Sequence, residues 1–374
     1  MNFDLTEEQQ LIQGSVARFI KDNYALDTRQ QLVASATGYS DTYWSMMAEL
    51  GWLGLPFAEE NGGFGGNQVD TMVLMEQFGK GLVLEPYLAS VVMGGGALKR
   101  ASDALKEAVL PAVIDGTCKL CLGYAEPQSR FDLHDVATTA AADGGNFIIS
   151  GHKSMVLHGG SASRIVISAR TSGERTDVNG ISLFLVEAEA DGIQRESFQT
   201  VDGLRAAEIT FKDVRVPAKN LIGELDAGYA ILRAVANDAI LALAAEAVGA
   251  MEMLYKDTVA YTQERVQFDH PLADFQVLQH RMVDMFMEYE QCKSLLFRAT
   301  LETVQNSDEL AQRSIHALKH LVGRAGIFIG ENAVQLHGGM GMAEELRVGH
   351  YFKRILVIDS QFGNADYHLQ RFAI

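Results

Sequence analysis

Residues 152–160 read His-Lys-Ser-Met-Val-Leu-His-Gly-Gly, two imidazoles and an amine set about an apolar centre of Met155, Val156 and Leu157. The run lies in a stretch rich in Val, Ile and Ser and reads as a strand turning over its Gly-Gly pair. Such a run either holds a ligand or marks where one was once held. His152 and His158 flank it on different sides, which makes them edge residues rather than a catalytic pair.

Three other groups have the residue types for chemistry. Cys118 and Cys121 form a lone C-x-x-C. On a strand that odd spacing points them to opposite faces, so they read as two buried thiols rather than a metal or redox pair. His316 and His320 sit i, i+4 in SIHALKHLVG, a spacing able to chelate a metal. No glutamate of an HExxH pattern accompanies them, and an ordinary helix face is the reading. Gly94–Gly96 follow no strand and precede no phosphate-loop lysine, so they are not a P-loop.

The elements that position these residues fall into three zones. From residue 1 to about 115 apolar residues recur at helical spacing. TEEQ is a capping box with Thr6 as cap and Gln9 three positions on. AELGWLGLPFAEENGGFGG closes a helix into a glycine-rich turn, and VDTMVLMEQFGKG restarts helical periodicity. From about 117 to 218 the runs NFIISG, RIVISART, GISLFLVEA and AEITFKDVRVP are short, β-branched and bounded by turn residues. Segments 226–264, 274–305 and 309–336 then carry i, i+3, i+4 apolar spacing over many turns, as in an antiparallel bundle. The expectation is a multi-domain α+β chain with an N-terminal helical domain over 1–116, a middle β domain over 117–222 and a C-terminal helical domain over 223–374.

The chain has 374 residues, 48% hydrophobic and 21% charged, ordinary for a globular protein with a large core. Its net charge of -17 argues against nucleic acid and against an anionic membrane surface, both of which need clustered Lys and Arg. No apolar run reaches the roughly 18 residues of a membrane helix; the longest, 234–251, is interrupted by Asp238 and Glu246. The acidic, amphipathic N-terminus is unlike an export or transit signal, which makes a cytoplasmic location the expectation.

Motifs spread over the whole chain, in order, resemble the acyl-CoA dehydrogenase family of flavoenzymes. FDLTEEQQLIQGSVARF and AELGWLGLPFAEENGGFGG look like that family's opening helices and its PEEYGG-type loop. YAEPQSRFD stands where the family has TEPxxGSD, and SGHKSMVLHGG where it has NGxKxWITNG. FKDVRVPAKNLIG, QERVQFDHPLADFQVLQHRMVDM and QLHGGMGMAEE are similar to the family's later motifs. The resemblance implies a middle domain of β-barrel-like or sandwich form and a C-terminal four-helix bundle. It also implies FAD as cofactor, an acyl-CoA substrate and an electron-transfer flavoprotein as acceptor. In that chemistry a carboxylate takes the α-proton of the thioester while the β-hydrogen leaves as hydride to the flavin.

Carried over residue by residue, the resemblance divides the chain. It assigns Arg265 to the FAD diphosphate, which a guanidinium pairs bidentately, with Gln267 supplying neutral hydrogen bonds and Phe268 an aromatic face. It assigns Gln335, Leu336, His337, Gly338 and Gly339 to a turn where a missing Cβ lets backbone N–H groups approach the cofactor. In the family both clusters reach FAD across a subunit interface. The ring-holding groups are replaced: Met155 stands for a stacking aromatic, Leu157 for a hydroxyl, Ala125 for the threonine of TEP and Phe131 for the serine of GSD. The base is replaced as well, by Phe362 at the commoner position and by Ala239 at the alternative one. Asp238 neighbours the latter but points about 100° away on a helix, and Glu246 reads as the partner of a buried arginine or as a solvated residue.

The resemblance is therefore to the small, β-type subunit of heterotetrameric α2β2 acyl-CoA dehydrogenases, some of which act on steroid side-chain or dicarboxylic thioesters. Such a subunit completes the FAD site of a homologous α subunit. Two alternatives stand beside it. One is a homotetrameric dehydrogenase with Asp238 as a displaced base, the other a non-enzymatic scaffold or acyl-CoA-binding subunit.

Overall fold

Thr6 opens the first helix as the sequence predicts. Its hydroxyl accepts the Gln9 amide at 3.2 Å while the Gln9 side chain accepts the Thr6 amide at 3.1 Å, satisfying two of the N–H groups that a helix start leaves unpaired. The computed structural model describes residues 4–305 and 309–373. Phe3 of the opening motif and the chain limits 1 and 374 lie outside the described residues.

The first zone is helical: α1 (Glu7–Asn23), α2 (Leu26–Ala34), α3 (Asp41–Glu49), α4 (Gln68–Gly81), α5 (Gly96–Leu98) and α6 (Asp103–Ile114). α5 continues a π-helical turn, Leu88–Gly95, that contains the first two residues of the glycine triplet. A Cβ on Gly94 would lie 2.5 Å from Leu120 Cβ, and one on Gly95 2.6 Å from the Phe57 ring. These glycines serve close packing.

The middle zone is one eight-stranded sheet. Its strands are β1 (Leu120–Gly123), β2 (Thr139–Asp143), β3 (Asn146–Leu157), β4 (Arg164–Arg170), β5 (Ile181–Glu187), β6 (Ile193–Gln199), β7 (Arg205–Pro217) and β8 (Leu221–Ile222). The order is β6-β7-β3-β2-β4-β5-β8, with β1 parallel to β4. Val, Ile and Phe at alternate positions of β3, β4, β5 and β7 meet in one core that includes Ile149, Ile165, Phe184, Ile209 and Val214. β1, β2, β6 and β8 are additions to the four strands legible in the sequence. β6, IQRESFQ, is polar and largely exposed, and β1 begins after Cys118, so the two cysteines do not share a strand.

The last zone holds α7 (Gly228–Glu264), a short hairpin of β9 (Val266–Gln267) and β10 (His270–Pro271), then α8 (Gln276–Gln305), α9 (Glu309–His337), α10 (Arg347–Ser360) and α11 (Ala365–Ala373). α9 packs on α8, α10 and α11, so the expected helical bundle is present. None of the described helices is long and apolar enough to cross a membrane.

The chain divides into two compact units. One comprises residues up to Gln31, Asn67–Val83 and the chain from Ile240 onward; the other comprises Leu32–Gly66 and Leu84–Ala239. In the first unit α4 and α7 cross at glycines. A Cβ on Gly79 would meet the Glu246 carbonyl oxygen at 1.9 Å, and one on Gly249 the Glu76 carbonyl oxygen at the same distance.

Candidate functional site

In the second unit the middle of β3 is irregular. Register with β7 slips between Lys153 and Val156, a bulge that re-aims the intervening residues. Lys153 points into the core, where its Nζ meets Glu126 Oε1 at 2.7 Å and Ser168 Oγ at 3.0 Å. Glu126 also accepts the amides of Ala137 and Thr138 at 2.8 and 3.1 Å and the side chain of Gln128 at 2.8 Å. Burial alone would raise its pKa, but the ammonium and these donors bring it down to about 2. This pair anchors the bulge from below.

Above the bulge, Met155 is half exposed at 50% and left-handed, φ +52. Its amide donates to Glu208 Oε1 at 3.2 Å, and the Ser154 amide donates to the Ala125 carbonyl at 2.9 Å. The other Glu208 oxygen meets His152 Nε2 at 2.7 Å, and His152 Nδ1 meets Thr210 Oγ1 at 3.0 Å. His152 is thus an edge residue, as read from the sequence, while His158 is buried edge-on against Tyr39 with centroids 5.7 Å apart. A planar, polar ring gains nothing from Met155 or Leu157 beyond apolar contact, and two backbone donors that could replace the missing hydroxyls are spent inside the protein. The residues here do not fit a flavin ring.

In the first unit Arg265, Gln267 and Phe268 ride the β9–β10 hairpin directly after α7. Phe268 and Asp269 both have positive φ, 54° and 63°, the backbone of a two-residue hairpin turn. L side chains adopt that geometry at a cost of about 1–3 kcal/mol each. The turn holds Phe268 out at 83% exposure. Arg265 is exposed, and its guanidinium has no partner among the described residues. Gln267 Nε2 donates to the Val266 carbonyl at 2.8 Å, which leaves its side-chain oxygen as the acceptor.

The second cluster ends α9. Gln335 is exposed, Leu336 and His337 are buried, and Gly338 turns the chain with φ +62. Nothing lies within 4 Å of where a Cβ would stand on Gly338 or Gly339, so the backbone there is open to a ligand. Tyr261 joins the two clusters: its ring stacks on His337 with centroids 4.2 Å apart and planes 25° from parallel, and its carbonyl accepts the Arg265 amide at 2.8 Å. The tyrosine was not singled out in the sequence, although it lies one helical turn before Arg265. A free guanidinium, an exposed aromatic and an open glycine backbone fit the diphosphate and adenine end of a dinucleotide.

Neither base position carries a proton acceptor. Phe362 is buried and left-handed, φ +56, ahead of Gly363 at +109. Lys319 Nζ donates to the carbonyls of Ile358, Asp359 and Gly363 at 2.8–2.9 Å, and His368 Nε2 donates to that of Phe362 at 3.0 Å. This turn is held whatever the side chain at 362, and Lys319 is a second residue the sequence did not flag. Ala239 is fully buried, and Asp238 is partly buried within electrostatic reach of Lys99. Glu246 receives the buried Arg354 through two contacts of 2.5 and 2.7 Å, the arginine pairing read from the sequence.

The remaining candidates stay structural. His316 Nδ1 meets His368 Nδ1 at 2.9 Å, and His320 Nδ1 meets the Ala365 carbonyl at 3.0 Å. Among the described residues no three His, Cys, Asp or Glu form a metal cluster. Cys118 and Cys121 are free and buried, and burial pushes the Cys121 thiol up to about 12.

Comparison with known proteins places these features in a family. Three models match in order: acyl-CoA dehydrogenase, N-terminal domain, over residues 6–117; middle domain, over 121–214; and C-terminal domain, over 226–373. The probable acyl-CoA dehydrogenase YngJ of Bacillus subtilis is 29% identical over 100% of this chain and 98% of its own length. The solved structure of PigA with FAD and proline superposes with a TM-score of 0.92 at 26% identity, covering 100% of this chain and 98% of that one. The Tcur3481–Tcur3483 steroid ACAD superposes with a TM-score of 0.88 at 27% identity, covering 98% and 97%.

Proposed function

This chain belongs to the acyl-CoA dehydrogenase family of FAD-binding flavoproteins, and from that premise we propose that it is a base-lacking subunit completing the FAD site of a homologous partner. The assembly is an α2β2 tetramer that dehydrogenates an acyl-CoA across Cα–Cβ and passes electrons to an electron-transfer flavoprotein. FAD, when bound, supplies the hydride acceptor.

The observation that carries this reading is an asymmetry between two groups of residues, each described within its own unit, that the family resemblance assigns to the cofactor. Arg265, Phe268 and the Gly338–Gly339 backbone are free to receive a diphosphate and an adenine. The Ser154 and Met155 amides are already bonded within the protein. A benzyl group at 362 and a methyl group at 239 cannot take up a proton, so a carboxylate of the partner has to hold the α-proton. The likeness to the Tcur3481–Tcur3483 steroid ACAD supports a bulky acyl group of the steroid side-chain kind.

The test is the visible absorption spectrum of the chain purified alone, with flavin and protein quantified. A colourless protein that gains flavin when co-expressed with a homologous subunit is the expected result. A yellow protein with about one FAD per chain overturns the proposal. Met155 and Leu157 would then line a working cleft, and Asp238→Asn would test the displaced base of a homotetramer.

A further inference from the structure

His337 is 94% buried by exposure of 6%, yet only one of its ring nitrogens is accounted for. Nδ1 lies 2.8 Å from the Ala333 carbonyl oxygen. A carbonyl can only accept, so Nδ1 carries the hydrogen and Nε2 of the neutral ring is a bare lone pair. Nε2 has no hydrogen-bond partner among the described residues. Nε2 is not among the side-chain atoms that are both shut off from solvent and unpartnered, so within a mostly buried ring this lone pair stays open to a ligand.

The surroundings keep this lone pair available. The Tyr261 ring, stacked at 4.2 Å, holds the imidazole plane, and the Ala333 bond sets its rotation about that plane. Burial holds the imidazole below its ordinary pKa, against the opposing pull of the Ala333 carbonyl and of Asp257. Asp257, itself pushed up by burial, is the charged group that acts on this ring. The ring is therefore a neutral acceptor, directly before the open backbone of Gly338 and Gly339.

We infer that His337 reads the adenine of FAD by accepting a hydrogen bond from its exocyclic amine at Nε2. The inference rests on the assignment of Arg265 and the glycine turn to the diphosphate–adenine end of the cofactor. A site built around an acceptor rejects an analogue that presents another acceptor, because two lone pairs then face each other without a proton.

The test compares FAD with its hypoxanthine analogue, in which a carbonyl replaces the exocyclic amine. The full chain is used in whichever assembly holds the flavin, alone or co-expressed with its partner, after the flavin is stripped. Dissociation constants are read from flavin fluorescence. The wild-type assembly should prefer FAD by about 10- to 100-fold, the scale of one lost hydrogen bond with an unpaired group left behind. His337→Phe, which keeps an aromatic ring against Tyr261, should bind both within a factor of about three. Equal binding of the two flavins by the wild-type assembly overturns the inference and leaves the cofactor assignment standing. A preference retained in His337→Phe overturns it as well. Binding of neither flavin by any wild-type assembly overturns both. The wild-type comparison does not depend on the variant folding.

Discussion

Lys153 Nζ lies 2.7 Å from Glu126 Oε1, and both side chains are buried. The pair ties the β3 bulge to the segment that leads into β2, so the backbone at 154–155 is set from the core rather than by a ligand. Lys153→Met strands the carboxylate and should cost about 3–5 kcal/mol, read as a lower urea midpoint. The acid side follows from the Glu126 pKa of about 2 against an ordinary 4.5. Between those values the unfolded chain binds more protons than the folded one, so stability rises with pH. The contribution is complete above about 4.5 and is lost as pH falls through about 2. Glu126→Gln should flatten the midpoint between pH 5 and pH 3 relative to wild type.

Glu246 and Arg354 form the matching device in the helical unit. Arg354→Met alone should destabilise by about 3–5 kcal/mol, because the carboxylate is left uncompensated in the interior. Replacing both, Glu246→Leu with Arg354→Met, should recover most of that loss. A double-mutant cycle by thermal unfolding measures the recovery, and a double variant as unstable as the single one contradicts a role confined to charge pairing.

Arg265 is exposed and without a partner among the described residues, so Arg265→Ala should leave the unfolding midpoint within about 0.5 kcal/mol of wild type. The flavin should respond instead. Loss of a charge-assisted contact worth about 1.5–3 kcal/mol weakens FAD binding roughly 10- to 100-fold, read as flavin per chain after dialysis of whichever assembly holds it. Unchanged flavin content would favour a scaffold role for this chain.

His368 donates from Nε2 to the Phe362 carbonyl and meets His316 Nδ1 through its own Nδ1. Burial first, then Lys319, His316 and Arg371, push its pKa down to about 3 from an ordinary 6.5. The unfolded chain therefore takes up a proton between pH 6.5 and 3 that the folded chain refuses, and stability falls as pH drops through that window. His368→Gln keeps a donor of similar reach and removes the titration. Its loss of stability from pH 7 to pH 5 should be smaller than that of wild type by about 2 kcal/mol, measured by urea unfolding at both pH values.

Much of the architecture was legible along the chain because it depends on local chemistry. The Thr6–Gln9 capping box, the helical spacing that became α7, α8 and α9, and the β-branched runs of β3, β4, β5 and β7 are each set within a few residues. β1, β2, β6 and β8 were not, since their pairing comes from neighbours elsewhere along the chain. IQRESFQ has the polarity of a loop and is a strand because β7 offers it an edge. The motifs around Arg265, Gly338, Met155 and Phe362 likewise identified the family and the substitutions in it.

Only the folded chain decided what those substitutions leave behind. That Glu208 takes the Met155 amide, that Tyr261 stacks on His337, and that Lys319 secures the turn at Phe362 are contacts between residues 44 to 76 positions apart. Sequence supplies each partner's chemical type, but a hydrogen bond requires two groups within about 3 Å in the right direction. That distance is set by strand register and helix packing, which no single segment contains.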